Sequence, residues 1–355
     1  MKKIVLTGGG TAGHVTPNIA LLPALREAGY EVYYIGSYNG IEKSLIEAEN
    51  IPYYGIATGK FRRYFDWKNL SDPFRVLKGI GEARKIIRKI DPDILFSKGG
   101  FVAVPVVLAA NKCHVPVIIH ESDMTPGLAN RICLKYARKI CCNFPETLSH
   151  VPEGTGVVTG TPIRDELKKG SAAKGFAFTG LDSNKPVILV MGGSQGAVRV
   201  NNCVRAALPE LLKKYQVVHL CGKGHLDESL KDTEGYRQYE YIREELPDLY
   251  AMCSLMISRA GANAICEIST LAIPNLLIPL GSDASRGDQI LNARSFEKQG
   301  FSMVLEESGL TEKALVDKVN QLYENRDQYI SAMKHSQHTD SIDVIMKLIR
   351  EYTRQ

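Results

Sequence analysis

The sequence predicts an α/β protein built from two doubly wound parallel sheets, and three observations carry that prediction. Short β-branched runs alternate with helix-length amphipathic segments along the chain, as expected where helices cover both faces of a sheet. The alternation stops at a polar, lysine-containing stretch over 165–186 and then restarts. Each half also opens in the same way: Ile4-Val-Leu-Thr-Gly-Gly-Gly10 and Ile188-Leu-Val-Met-Gly-Gly-Ser194 both read as strands entering glycine loops.

In chain order, the first half reads as strands at Ile4–Thr7, Val32–Ile35, Ile94–Ser97, Val117–His120 and Ile140–Cys142. Val157-Val-Thr159 then leads into Gly160-Thr-Pro-Ile-Arg164, and the domain junction is placed near residue 164. The second half supplies strands at Val187–Met191, Gln216–Cys221, Leu255–Ser258 and Asn275–Pro279. Ligands of such sheets sit at the carboxyl ends of the strands, so two facing domains would form a cleft.

Composition narrows the function. A chain of 355 residues with 44% hydrophobic content can fill two cores. A net charge of +5 does not by itself announce nucleic acid, and none is expected as a partner. The basic start Met1-Lys2-Lys3 is followed by an apolar run that ends at Gly8, too short for an export signal. The longest apolar run, Val102 to Ala110, is about half of what a spanning helix needs, so a soluble or peripheral protein is expected. Eight cysteines without a CxxC pair read as reduced thiols of a cytosolic chain.

The glycine loops carry the chemistry. Gly8-Gly-Gly-Thr-Ala-Gly13 matches GxGxxG directly after a strand, with Thr16 as a candidate N-cap and Pro17 in the first turn. Backbone N–H groups in such a loop can meet an anion, and the helix N-terminus adds positive potential. A dinucleotide enzyme would place an acid at the end of the second strand; here Tyr34-Ile-Gly-Ser37 is followed by no acid before Glu42, which argues against NAD. A bare tight turn is the other reading. Gly192-Gly-Ser-Gln-Gly196 and Ser258-Arg-Ala-Gly-Ala-Asn263 offer further loops, and several together can hold a pyrophosphate without a metal. Asp91-Pro-Asp93 precedes its strand, at the wrong sheet edge for a metal site, and reads as a turn.

These loops together with Ser97-Lys-Gly-Gly-Phe-Val102, His120-Glu-Ser-Asp123, Pro126-Gly-Leu-Ala-Asn130, Gly160-Thr-Pro-Ile-Arg164 and Asp288-Gln-Ile-Leu-Asn292 resemble, in order and nearly end to end, the MurG family of peptidoglycan UDP-N-acetylglucosamine transferases, in glycosyltransferase family 28. The resemblance implies the GT-B fold of two facing Rossmann-like domains. It assigns residues 1–163 with about 340–355 to acceptor and membrane binding, and 164–339 to the donor. It implies inverting transfer of GlcNAc from UDP-GlcNAc to the C4 hydroxyl of MurNAc in lipid I, giving lipid II, with no cofactor or metal. The cytoplasmic face of the membrane is the implied location.

By the same resemblance, Thr11, Ala12, Gly13, Arg164, Ser194, Gln195, Gly196, Arg259, Ala260, Gly261, Glu267, Asp288, Gln289 and Asn292 would meet the donor. Gly9, Gly10, Gly100, Phe101, His120 and Asn130 would meet the acceptor, and His14, Glu121 and Asp123 supply the candidate catalytic groups. Phe101 and Asp123 depart from the Tyr and Asn of some relatives. Read on their own chemistry, several residues keep a second interpretation. His14 lies before a helix N-terminus, which favours the neutral imidazole of a base, or it packs. Glu267 suits a ribose or a solvated helix face, while Asp288 is a ligand or part of a Ser285-Arg-Gly-Asp288 capping box. His120 is a ligand or a core histidine, and Arg164 and Arg259 are ligands or partners of carboxylates.

Residues 60–90 hold ten basic residues against three acids, a net of +7. Phe61-Arg-Arg-Tyr-Phe-Asp-Trp67 interleaves rings with cations, the pattern of contact with an anionic membrane surface; an unpartnered basic surface is the alternative. Leu70, Phe74, Leu77, Ile80, Ala83, Ile87 and Ile90 form a helical stripe, read as a core face. Rival functions are a UDP-GlcNAc epimerase, which needs no acceptor, and a nucleotide-sugar sensor without turnover.

Overall fold

A computed structural model describes residues 1–59, 68–193, 196–281, 287–336 and 341–355. The chain divides into two compact units, Met1–Arg164 with Asp340–Gln355, and Asp165–Thr339. In the first, strands β1 (Lys2–Thr7), β2 (Tyr30–Ser37), β3 (Tyr53–Ile56), β4 (Ile94–Ser97), β5 (Val117–Glu121), β6 (Lys139–Cys142) and β7 (Gly156–Val158) form one sheet. Its order is β3-β2-β1-β4-β5-β6-β7, and every pairing is parallel. The order reverses between β1 and β4, where loops from adjacent strands diverge and leave room for a ligand.

Helices α1 (Thr16–Glu27), α2 (Ile41–Glu47), α3 (Lys68–Ile90), α4 (Ala103–Lys112) and α5 (Leu128–Cys133) belong to this unit. Consecutive residues of β1 enter different cores, because strand side chains alternate in direction. Ile4 and Leu6 pack with Leu21, Leu22 and Leu25 of α1, whereas Val5 packs with Ala83 and Ile87 of α3 and Val106 of α4.

The second unit contains α6 (Ala172–Thr179), β8 (Val187–Met191), α7 (Val198–Lys214), β9 (Gln216–Leu220), β10 (Tyr236–Tyr239), α8 (Leu246–Met252), β11 (Leu255–Ser258), α9 (Ala262–Thr270), β12 (Asn275–Leu277), α10 (Asp288–Lys298), β13 (Met303–Val304), α11 (Glu312–Glu324) and α12 (Arg326–Lys334). Its sheet runs β10-β9-β8-β11-β12-β13, again with parallel pairings. The last helix, α13 (Ser341–Tyr352), adds Ile345, Met346 and Ile349 to the α1 face of the first sheet. The Tyr30 hydroxyl and Thr353 Oγ1 also lie 2.8 Å apart.

Three expectations need correction. The hydroxyl of Thr16 does not cap α1; it donates to the Ala12 carbonyl one turn back, at 2.9 Å, while Pro17 does occupy the first turn. No capping box precedes α10, because that helix starts at Asp288 with Gly287 before it; Asp288 therefore sits too early for the box's third position, and Ser285 lies outside the described residues. The helical stripe of α3 is only partly core. Ala83, Ile87 and Ile90 are buried, but Phe74 and Leu77 are 74% and 65% exposed. A 23-residue helix is about 35 Å long, against roughly 13 Å for the four-residue strands nearby, so the strands cannot cover its whole face; in its first half Asp72 and Gly79 pack against Gly59 and Ala57 while Phe74 and Leu77 stay open.

A buried polar network supports β9. The His219 ring faces Asn201 Oδ1 at 3.0 Å and the Tyr236 hydroxyl at 2.9 Å, and the Asn201 amide donates to the Cys221 carbonyl. With the Asn201 oxygen as acceptor, Nε2 carries the proton and Nδ1 accepts from Tyr236. Burial, with Arg205 nearby, lowers the His219 pKa to about 3. A histidine held neutral stabilises the fold fully above its unfolded pKa near 6.5, and that contribution is lost as pH falls toward the folded value. The stability cost of His219→Gln, measured by urea unfolding, is therefore expected to be about 1 kcal/mol larger at pH 7 than at pH 5.5. Equal costs at both pH values would show that the folded protein protonates this ring freely.

Candidate active site

The first glycine loop leaves the carboxyl end of β1 and is held by buried groups. Tyr34 donates its hydroxyl to the Gly8 carbonyl at 2.8 Å, and Asn18 donates to Thr7 O and Tyr34 Oη. Glu42, fully buried, accepts from Gly10 N at 3.2 Å and from Ser37 N and Oγ. The acid that the second strand seemed to lack is thus present and turned inward, where it takes one of the loop's own amides. Gly10 has φ +87°, and a Cβ there would lie 2.5 Å from the Phe101 ring; only glycine fits a left-handed turn under that ring. A Cβ on Gly100 would meet the Gly9 carbonyl at 2.3 Å, so the loops after β1 and β4 touch.

His14 stands at the end of this loop, partly exposed, with Nδ1 2.9 Å from Thr11 Oγ1. When Nδ1–H donates to that hydroxyl, Nε2 keeps its lone pair, as a base requires. Desolvation, then the charge of Lys98, lowers the His14 pKa to about 4 against the opposing pull of Glu42. The ring is therefore neutral at physiological pH.

Behind His14 the other candidates of the first unit act as supports. His120 is fully buried, with Nδ1 2.8 Å from Lys98 Nζ and Nε2 2.8 Å from the Gly160 carbonyl. Both ring nitrogens have partners within the chain, the arrangement of a satisfied core histidine, and burial holds it well below its usual pKa. Glu121 accepts from Asp123 N, Gly127 N and the Asn130 amide, with burial raising its pKa. It shapes the loop over 122–127, on which Asp123 sits half-buried. Asn130 ties that loop to β5 through the His120 carbonyl.

In the second unit, a cavity of about 510 Å³ opens at the carboxyl ends of β8, β11 and β12, lined by Gly196, Arg199, Arg259, Gly281, Ile290 and Glu307 among others. Gly196 has φ +75°, and a Cβ there would meet the Cys221 carbonyl at 2.3 Å. Arg259 is paired: it reaches Glu307 at 2.6 Å and donates to the Ile278 and Pro279 carbonyls. Burial pushes the Glu307 carboxyl up, but the Arg259 hydrogen bond and charge and the Gly281 N–H outweigh it and keep it below its usual pKa. Glu267 on α9 accepts from the Tyr250 hydroxyl at 3.1 Å. Gln289 accepts from Leu280 N, and buried Asn292 donates to the Ala260 carbonyl, so both act on loops at the cavity's side of the sheet. Gly261 begins α9 with open space beside its Cα.

The N-terminal domain model of glycosyltransferase family 28 matches residues 4–142, and its C-terminal domain model matches residues 187–348. The chain belongs to glycosyltransferase family 28. It is 64% identical over 354 residues to a protein of Lachnospira eligens named UDP-N-acetylglucosamine–N-acetylmuramyl-(pentapeptide) pyrophosphoryl-undecaprenol N-acetylglucosamine transferase, with all of both chains covered. A Clostridium tetani protein of the same name is 58% identical over 99% of this chain and 98% of its own. Among solved structures, Acinetobacter baumannii MurG matches with a TM-score of 0.77 and 26% identity, over 98% of this chain and 100% of that one. A Neisseria meningitidis UDP-GlcNAc 2-epimerase matches with a TM-score of 0.67 at 13% identity, over 99% of this chain and 100% of that one, which shows a shared fold alone.

For this family 28 chain, the first unit brings together Gly9, Gly10, Thr11, His14, Gly100 and Phe101. The second places Gly196 and Arg259 on one cavity and Glu267 on the neighbouring helix. Arg164 is the last residue of the first unit before the chain crosses, and Ser194 and Gln195 lie outside the described residues. Sequence reasoning missed four supports: Glu42, Lys98, Tyr250 and Glu307. Lys98 was visible as a charge at the end of an apolar strand. Tyr250 and Glu307 lie 17 and 48 residues from the groups they hold, and Glu42, although close to Ser37, meets Gly10 across 32 residues; no local spacing marks these contacts.

Proposed function

We propose that the chain transfers GlcNAc from UDP-GlcNAc to the C4 hydroxyl of MurNAc in lipid I. What carries this reading is His14, an uncharged imidazole fixed by Thr11 at the first glycine loop, in a chain whose relatives at 54–64% identity bear that transferase's name. His14 Nε2 takes the proton of the acceptor hydroxyl while its oxygen attacks the anomeric carbon; the bond from that carbon to the pyrophosphate oxygen breaks, and UDP departs with inversion. The N-terminus of α7 meets the charge that develops on the pyrophosphate, and Glu267 accepts from the ribose hydroxyls. No metal is needed in this reading, since backbone and helix dipoles supply the positive potential.

The acceptor is lipid-borne, and the chain reaches it as a peripheral protein on the cytoplasmic face. No helix among the described residues is long and apolar enough to cross a membrane. The first half of α3 instead presents Phe74 and Leu77 beside exposed Arg75 and Lys78, apolar groups with flanking cations that suit an anionic interface. The Phe61 to Trp67 cluster lies just before, outside the described residues.

Labelled UDP-GlcNAc with a short-chain lipid I analogue should give a labelled disaccharide; interconversion of UDP-sugars without acceptor would replace this reading with an epimerase. His14→Ala is expected to lower turnover by about 10²- to 10⁴-fold with donor affinity nearly intact, and turnover near wild type would move the base elsewhere, first to Asp123. Calorimetry of Glu267→Ala should show UDP binding weakened by about 1.5–3 kcal/mol; an unchanged affinity in the folded variant removes Glu267 from the site. Wild type should sediment with anionic vesicles less as salt rises. Phe74→Ser with Leu77→Ser should release it while activity on a water-soluble acceptor persists, and equal sedimentation would place the contact on another face.

A further inference from the structure

Tyr250 is 4% exposed, and its hydroxyl donates to Glu267 Oε2 at 3.1 Å. A phenylalanine would fill the same space without a polar atom to satisfy, so packing alone does not call for the hydroxyl. The two residues sit on α8 and α9, the helices before and after β11, and both helices are held from behind. Asp248, two residues before Tyr250, accepts from Ser171 N at 2.7 Å. The chain entering α6 lies directly against α8: a Cβ on Gly170 would be 1.9 Å from the Pro247 carbonyl, and one on Gly175 would be 2.6 Å from the Asp248 carbonyl. On α9, Ile265, Cys266 and Ile268 are buried, while Glu267 is half-buried and meets α8 through its carboxylate. The hydroxyl therefore reaches Glu267 from a fixed frame.

The last torsion of a glutamate side chain is broad and nearly two-fold, so a carboxylate with no fixed donor loses that freedom when it meets a ligand. A donor at Oε2 sets the plane of the group beforehand. The two neighbouring hydroxyls of a ribose need two acceptor oxygens at one spacing and orientation, and a carboxylate already held in plane presents them at a smaller entropic cost. We propose that Tyr250 is a positioning residue that sets ribose specificity: by holding Glu267 Oε2, it makes the site favour a nucleoside diphosphate with both ribose hydroxyls over one that lacks them. This rests on the reading of Glu267 as the ribose contact.

The test compares binding of UDP and of 2′,3′-dideoxy-UDP, by calorimetry, to the full chain and to Tyr250→Phe, Glu267→Ala and the double variant. Wild type should prefer UDP. Tyr250→Phe, which keeps the ring, should reduce that preference by about 3- to 10-fold, the worth of one hydrogen bond, with affinity for the dideoxy analogue unchanged. In the Glu267→Ala background the same substitution should alter the preference no further, because the carboxylate it acts through is gone. With UDP-GlcNAc as substrate, KM should rise while kcat stays near wild type. A tyrosine that only packs α8 against α9 would weaken both ligands alike and leave their ratio in place; that result overturns the proposal, as would failure of Tyr250→Phe to fold. Glu267→Ala separates this from the reading beneath it. If that variant keeps the wild-type preference for UDP, the ribose is held elsewhere and both fall; if it loses the preference while Tyr250→Phe retains it, Glu267 stands and Tyr250 alone is removed.

Discussion

Two all-parallel sheets have to be covered on both faces, and that demand organises the rest of this chain. A parallel strand places apolar side chains in both directions, so each sheet needs helices above and below. Most crossovers from one strand to the next are therefore helices, and every strand's carboxyl end opens into a loop on the same edge. The glycine loops are on that edge because the connections leave them nowhere else. The same demand gives α13 its place: Ile345, Met346 and Ile349 complete the layer that α1 begins over Ile4 and Leu6.

The edge that carries the glycine loops is kept in shape by polar groups buried below it. Glu42 inside the first loop, Lys98 against His120, His219 between Asn201 and Tyr236, and Arg259 against Glu307 all lose hydration. Each recovers it through hydrogen bonds to neighbours that are themselves fixed. Removing one partner leaves the other buried and unmatched, which costs more than the bond itself contributes. Such networks give a glycine loop a defined form although glycine has the most conformational freedom to lose. They also distinguish two histidines of the same unit: the ring of His14 is held at Nδ1 by Thr11, whereas both ring nitrogens of His120 have partners inside the frame.

The basic segment at 60–90 follows another logic. Its helix is longer than the sheet it rests on, so Ala83 and Ile87 are core while Phe74 and Leu77 stand in solvent. Periodicity shows which residues share a helix face, and only the extent of the neighbouring layer decides how much of that face is covered. The exposed remainder carries Phe74 and Leu77 beside the cations Arg75 and Lys78.

The amino-acid sequence by itself determined the α/β class, the interior strands of both sheets and the glycine loops. These are encoded locally, by β-branched runs and by glycines that follow them. Edge strands β3, β10 and β13 were not legible, since Tyr53–Ile56 and Tyr236–Tyr239 are half-exposed and Met303–Val304 is two residues long; strands so short are defined by their neighbours. Eight cysteines read as thiols, and all eight are free, five of them buried. What the tertiary structure alone decided was which polar groups meet. Glu42 lies 32 residues from Gly10, Glu307 lies 48 from Arg259, and Ser341 donates across 180 residues to Thr161. Hydrogen bonds and charges act through space, and contacts between such distant residues exist only once the sheets have placed their strand ends together.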